Sequence, residues 1–174
     1  VDLPSGRVVV LAPCAKPEPR WQYKKWPFYG HLAGRILSEL RGVKIIIIGT
    51  ESDTLSDNLP ESPDVIDFRG KLSLAETAYV LRYSKVVIGN DSGPMHIAQA
   101  LQKPSLVIHG QTCEIKNSHT NKTMPVVLDR PRFDLELSTQ KNLSADSQKI
   151  AEVSAEKVIE KLKEILKAIE NVQL

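Results

Sequence analysis

Along this chain, short unbroken apolar runs alternate with longer stretches in which apolar residues return every three or four positions. The short runs are bounded by glycine or polar clusters and read as strands buried on both faces. They are Arg7-Val8-Val9-Val10-Leu11-Ala12, Lys44-Ile45-Ile46-Ile47-Ile48-Gly49, the shorter Val65-Ile66-Asp67-Phe68, Val86-Val87-Ile88-Gly89 and Leu106-Val107-Ile108-His109-Gly110, with Val126-Val127-Leu128 as a sixth. The longer stretches read as amphipathic helices. One begins at Pro27, buries Leu32, Ile36, Leu37 and Leu40, and stops at Gly42 as its C′ residue. Another runs from Leu74 to Arg82 behind an N-cap at Ser73, with Leu74, Ala78 and Leu81 on one face. A third follows Gly93, and the last begins near Ser154 with Val158, Ile159, Leu162, Ile165, Leu166 and Ile169 on one side and a solvated Glu/Lys face on the other. Strand and helix succeed each other without a hairpin signal, which predicts an α/β fold with a doubly wound parallel sheet. Ligands in such sheets bind beyond the carboxyl ends of the strands, where the strand order reverses, so the chemistry is expected in the loops that follow the strands.

Composition narrows the partners. The 174 residues suffice for one domain with a full core, and 41% hydrophobic with 25% charged residues describes a soluble globular chain. A net charge of +2 is too small to argue for nucleic acid, and no such partner is expected. The longest apolar run, Val43 to Ile48, is broken by Lys44 and too short for a bilayer, so no transmembrane segment is expected. Cys14 and Cys113 lie far apart with no metal-ligand spacing, which predicts a reducing, cytoplasmic setting and no metal site. The opening Val1, in place of methionine, reads as trimming or as a fragment of a longer chain.

Two loops carry candidate chemistry. After the fourth apolar run the chain turns through Asn90-Asp91-Ser92-Gly93-Pro94-Met95-His96 straight into a helix. Asp91 or Ser92 can cap that helix, Gly93 allows a tight turn or a close ligand approach, and Pro94 suits the first helical position. Backbone N–H groups and the positive end of the helix dipole would then face the crevice, a site suited to phosphate. The loop after the first run gathers Lys16, Arg20, Lys24 and Lys25 with both tryptophans, Trp21 and Trp26, just before a helix start. It reads either as a second anion-holding wall or as a solvated loop whose tryptophans plug the domain edge, and the residues alone leave both open. Glu51, in the loop after the second run, is placed to accept hydrogen bonds from ribose hydroxyls. A carboxylate sits badly beside phosphate, so Asp91 is expected to cap the helix, to bind sugar hydroxyls or to hold a lysine. His31, His109 and His119 match no signature and read as structural.

Three segments carry a resemblance: Lys24-Lys25-Trp26-Pro27, Gly70-Lys71-Leu72-Ser73-Leu74 and, most specifically, Asp91-Ser92-Gly93-Pro94-Met95-His96 followed by Ala98, Ala100-Leu101 and Pro104. With them the chain resembles the C-terminal domain of glycosyltransferase family 9, the ADP-heptose:lipopolysaccharide heptosyltransferases, from the first strand through Gly110-Gln111-Thr112. The resemblance implies a Rossmann-like C-terminal half of a two-domain GT-B enzyme. Residues 1–174 would form the donor-binding domain, closed by a helix over 154–170. It implies donor binding by Lys24, Glu51, Asp91, Ser92, Gly93 and His96, with Lys25 and Thr112 beside them. The implied reaction is inverting transfer of heptose from ADP-heptose to a lipopolysaccharide core acceptor. The acceptor site and the catalytic base would lie on an N-terminal domain that these residues do not include, so no catalytic residue is expected here. No Asp-x-Asp triplet occurs, so no metal and no cofactor are expected, and Lys24 with backbone donors is left to neutralise the diphosphate. The implied location is the cytoplasm, at the inner face of the inner membrane, with peripheral membrane contact. Cys113 to Lys122 departs from the family's proline-containing loop over the donor, which leaves the sugar open. The alternatives are a non-catalytic nucleotide-binding module and a GT-B enzyme using another nucleotide sugar.

Overall fold

A computed structural model describes residues 1–15, 24–108, 127–129, 150–151 and 153–172. In chain order the elements are β1 (Arg7–Ala12), α1 (Tyr29–Glu39), β2 (Val43–Ile47), β3 (Val65–Asp67), α2 (Leu74–Tyr83), β4 (Val86–Asn90), α3 (Gly93–Ala100), β5 (Ser105–Ile108), β6 (Val127–Asp129) and α4 (Ala155–Val172). The strands form one sheet in the order β3-β2-β1-β4-β5-β6, and every pairing is parallel. The chain steps outward from β1 to β3 and then returns to β1's other side with β4. The order therefore reverses between β1 and β4, and a crevice opens beyond their carboxyl ends.

The apolar runs are unbroken because both sheet faces are covered. On one face Val9, Leu11, Ile45, Ile47, Val86, Ile88, Leu106 and Ile108 meet the buried residues of α1 and α4. On the other Val8, Val10, Ala12, Ile46, Ile48, Val87 and Val107 meet Val80 and Leu81 of α2 and Met95 and Ala98 of α3. Among the described residues no helix is long and apolar enough to cross a membrane.

Several boundaries differ from expectation. α1 starts at Tyr29 rather than Pro27, and its N-cap residue Phe28 has no side-chain acceptor. Gly42 adopts a left-handed conformation (φ 70°), but it lies two residues beyond an extended C-cap at Leu40, in the turn into β2 rather than at C′. Leu37 and Leu40 are only partly buried against the core. Ser73 caps α2 in a full capping box with Glu76, as its sequence predicts. Leu74, however, is 73% exposed, and Val80 joins Leu81 as the buried pair. Leu74 shares Leu81's side of the helix, but it sits in the first turn, two turns away from the packed end. β2 and β6 are each shifted by one residue from their apolar runs, and β5 begins at Ser105.

Candidate functional site

The crevice between β1 and β4 is built around Asn90, the last residue of β4 and fully buried. A buried amide at a strand end must find hydrogen-bond partners. Its Oδ1 accepts from the backbone N–H of Trp26 (3.2 Å) and the hydroxyl of Tyr29 (2.9 Å), and its Nδ2 donates to the carbonyl of Cys14 (3.4 Å). One side chain thus fixes both the end of the β1 loop and the start of α1 against β4. Burial holds the Tyr29 hydroxyl well above its ordinary pKa, so it remains a donor. Trp26 is seated in the core edge-on to Phe28 and Tyr29, and its Nε1 donates to the carbonyl of Val153, just ahead of α4. Trp26 therefore serves the core, while the segment around it is held rigid for Lys24.

Lys24 reaches across the crevice to Asp91. Its Nζ lies 3.1 Å from Asp91 Oδ2 and 3.2 Å from the Asp91 carbonyl oxygen, with the two side chains 15% and 5% exposed. On Asp91's other side, His96 Nε2 lies 3.7 Å from Oδ1. Of the three roles open to Asp91, the structure shows the lysine contact. It does not cap α3: Ser92 holds the N-cap position, and the helix has no side-chain cap bond. Ser92 Oγ is buried with no hydrogen-bond partner among the described residues. Among the described residues nothing lies within 4 Å of where a Gly93 Cβ would stand, and its φ is not left-handed, so no turn among them calls for the glycine. A helix N-terminus with no side-chain cap among the described residues, flanked by a half-buried ammonium, suits an anion.

Of the two readings open for the loop before α1, the structure bears on the helix start that follows it. That N-terminus is already occupied by the carboxylate of Asp57, whose Oδ1 accepts from Gly30 N (2.8 Å) and Oδ2 from His31 N (2.7 Å). Asp57 reaches the helix from the loop after β2. It fits only because residue 30 is glycine: a Cβ there would stand 2.1 Å from the Asn58 carbonyl oxygen. Lys24, on the loop that leads to this helix, is held by Asp91.

A third carboxylate ties two of the neighbouring loops together. Asp53, 3% exposed, accepts from Ala15 N (3.1 Å) through Oδ1 and from Thr50 N (2.7 Å) and Thr50 Oγ1 (2.9 Å) through Oδ2, so the loops after β1 and β2 are joined through it. Arg69, past β3, donates to the Asp53 carbonyl (2.6 Å) and grips Asp67 with a second arm (2.7 Å). Burial pushes the Asp67 carboxyl up, but Arg69's hydrogen bonds and charge outweigh it and hold the pKa below its ordinary value. Glu51 stands exposed on this loop. Cys14, buried beneath it, directs Sγ toward the Ile48 carbonyl, and burial together with Asp53 pushes its thiol up to about 12, which keeps it inert. Lys25 is partly buried beside Lys24, and His31, at the α1 surface, lies 3.7 Å from Glu156. Thr112 lies outside the described residues, as do Lys16, Arg20, Trp21, His109, Cys113 and His119.

Lys24, Asp91, Ser92, Gly93 and His96 are thus brought together, while Glu51 stands on a neighbouring loop of the same sheet edge. Asn90, Asp53, Asp57 and Arg69 do the positioning, and of these only Asn90 carried a signal in sequence, a polar residue closing a buried strand.

Comparison with known proteins agrees with this architecture. The model of glycosyltransferase family 9 (heptosyltransferase) matches residues 3–158. The lipopolysaccharide heptosyltransferase 1 of Campylobacter coli is 30% identical over 104 residues, 60% of this chain and 29% of that protein. The lipooligosaccharide heptosyltransferase 2 of Haemophilus influenzae is 28% identical over 96 residues, 51% of this chain and 28% of that protein. Among solved structures, the ADP-heptose lps heptosyltransferase II of E. coli superposes with a TM-score of 0.72 at 22% identity, covering 95% of this chain and 48% of its own. An E. coli heptosyltransferase solved with ADP gives 0.64 at 19% identity, with 94% and 46% covered. The chain thus spans about half the length of these structural neighbours, and the matched stretches less than a third of the curated relatives. With a family model matched over most of its length, a doubly wound parallel sheet and a superposable fold, the chain belongs to glycosyltransferase family 9.

Proposed function

We propose that this chain is the donor-binding half of an inverting heptosyltransferase, which transfers heptose from ADP-heptose to a lipopolysaccharide core acceptor. The observation that carries the reading is the Lys24–Asp91 pair set against the uncapped N-terminus of α3 at the point where the strand order reverses. The nucleotide diphosphate would lie over Ser92 and Gly93, where backbone N–H groups and the helix dipole are fixed before the ligand arrives. Lys24 would meet it already desolvated and oriented by Asp91. Asp91 and His96 would face the sugar hydroxyls, with Glu51 toward the ribose and Lys25 and Thr112 at the margins. A base on an N-terminal domain would take the acceptor hydroxyl's proton as that oxygen attacks the anomeric carbon. The bond from that carbon to the diphosphate breaks, and ADP leaves with the electron pair, stabilised here by Lys24 and the α3 N-terminus. An acceptor attached to lipid would bring the enzyme to the inner membrane, on this reading at its cytoplasmic face. The names of the relatives, heptosyltransferases for lipopolysaccharide, and a structural neighbour solved with ADP support this reading.

Calorimetric titration tests it. The chain is expected to bind ADP more tightly than UDP or GDP, and Lys24→Ala to weaken ADP binding by about tenfold or more, the loss of one charge-assisted contact. Preference for UDP over ADP would overturn the heptosyltransferase reading.

A further inference from the structure

The Gly70-Lys71-Leu72-Ser73-Leu74 segment takes no part in the Lys24–Asp91 site, yet between the end of β3 and the start of α2 the chain is tied down almost throughout. The Lys71 N–H donates to the Phe68 carbonyl (3.0 Å), closing a four-residue turn whose third residue, Gly70, has φ 71°. That left-handed φ is what a turn of this kind asks of glycine. Asp67 Oδ1 accepts from Arg69 N (3.0 Å), Lys71 Nζ donates to the Asp67 carbonyl (2.7 Å), Leu72 packs against the core and Ser73 caps α2. The turn is also fastened to the loop after β2. Phe68 N donates to the Ile47 carbonyl and Gly70 N to the Gly49 carbonyl, both at 2.9 Å, and Arg69 Nη1 reaches the Asp53 carbonyl further along the same loop. Glu51 stands between these attachments. A Cβ on residue 70 would lie 3.0 Å from Glu51 Cβ and 3.2 Å from Glu51 Cα and N. Backbone atoms cannot rotate away, so a side chain at residue 70 must displace the Glu51 backbone.

We propose that Gly70 is a positioning residue for Glu51, and that the turn at 68–71 thereby sets how strongly the site prefers nucleotides that carry ribose hydroxyls. The inference rests on the donor reading above, in which Glu51 faces the ribose. Glu51 is exposed, and no side-chain hydrogen bond or ion pair among the described residues aims its carboxylate. Its place is therefore inherited from its backbone, and the turn packs directly on that backbone. A functional group must be held to within about 0.5 Å of its productive position to keep its full effect. Displacing Glu51 would weaken its contact with the sugar. The diphosphate contacts come from Lys24 and the start of α3, on other loops, and would be left in place.

The test compares ADP with its 2′,3′-dideoxy analogue by calorimetric titration, each variant being checked for native far-UV circular dichroism. The wild type is expected to prefer ADP by about tenfold or more, the worth of hydrogen bonds to a charged carboxylate, and Glu51→Ala to lose that preference. Gly70→Ala should cut the preference at least about threefold, by weakening ADP while the analogue binds as it does to the wild type. Gly70→Asn should do the same. Asparagine tolerates a left-handed φ, so this variant separates the approach of the Cβ from strain in the turn, and it carries the test if the alanine variant does not fold. Added to Glu51→Ala, Gly70→Ala should change the preference no further, because it acts through the carboxylate. Equal weakening of both ligands by the Gly70 variants would mark a merely structural residue and overturn the proposal. So would full preference in a folded Gly70 variant, or a further loss in the double variant, and these results would leave the donor reading standing. A wild type indifferent to the ribose hydroxyls, or a Glu51→Ala variant that keeps the preference, would overturn the proposal together with the place of Glu51 in the donor reading.

Discussion

Four side chains near the crevice, Asn90, Asp53, Asp57 and Arg69, act by holding backbone. Asp53 is the clearest: three donors from two loops converge on its two oxygens in a buried setting. Asp53→Ala is therefore expected to leave those donors unsatisfied and to cost about 2–4 kcal/mol, read as a lowered urea midpoint at unchanged slope. Asp53→Asn, which keeps acceptor capacity on one oxygen, should fall between. In sequence Asp53 is one polar residue of a Thr-Glu-Ser-Asp loop and looks like any solvated loop acid, because the donor that ties it to another loop, Ala15 N, lies 38 residues away. The Asp91-Ser92-Gly93 turn is the opposite case. It was legible because the strand, the turn and the helix it starts are contiguous, so local preferences and chemistry coincide. That segment left a cap, sugar hydroxyls and a lysine open for Asp91, and the lysine contact comes from Lys24, 67 residues away.

At the scale of elements, the helices carry two testable dependencies. The N-terminus of α1 is capped from outside by Asp57, and Asp57→Ala should lower stability by about 1–2 kcal/mol, measured by thermal denaturation, since it removes both cap bonds and the charge on the dipole. α4 is joined to α1 by charge. Glu39 is gripped by Arg35 on its own helix and by Lys163 of α4 at 2.5 Å, and Arg35 also reaches Glu156 at 2.8 Å. The hydrogen bonds of Arg35, then of Lys163, hold the Glu39 carboxyl at about 2, well below its ordinary 4.5. A depressed carboxylate contributes stability that is complete above its unfolded-state pKa and is lost as pH falls through the folded value, here from about 4.5 down to about 2. The protection of α4 amides against hydrogen exchange, taken relative to the intrinsic rate at each pH, should therefore fall over that window in the wild type, and Glu39→Gln should flatten the dependence. A pH-independent α4 in the wild type would contradict this coupling. The amphipathic stripe of α4 and the capping box of α2 were readable from spacing alone, since both are local. The late start of α1 was not, because its cap arrives from 26 residues downstream.

At the scale of the molecule, the described residues form a six-stranded doubly wound parallel sheet, and the chain matches about half the length of its structural neighbours. On the proposed reading, the chain alone should bind ADP yet show no transfer of heptose to a lipopolysaccharide acceptor, assayed by ADP release, because the base would lie on another domain. Measurable turnover would place the base in these residues. Sequence by itself determined the strand and helix order, the coverage of both sheet faces and the strand-to-helix turn with its acid, because each follows from periodicity and from neighbours within a few positions. Only the tertiary structure decided that the strand order reverses between β1 and β4, that Asp57 rather than a ligand occupies the start of α1, and that Asn90 and Asp53 fix the loops around the Lys24–Asp91 pair. Those are contacts between residues distant in the chain, and a buried donor takes whichever acceptor the packing brings to it.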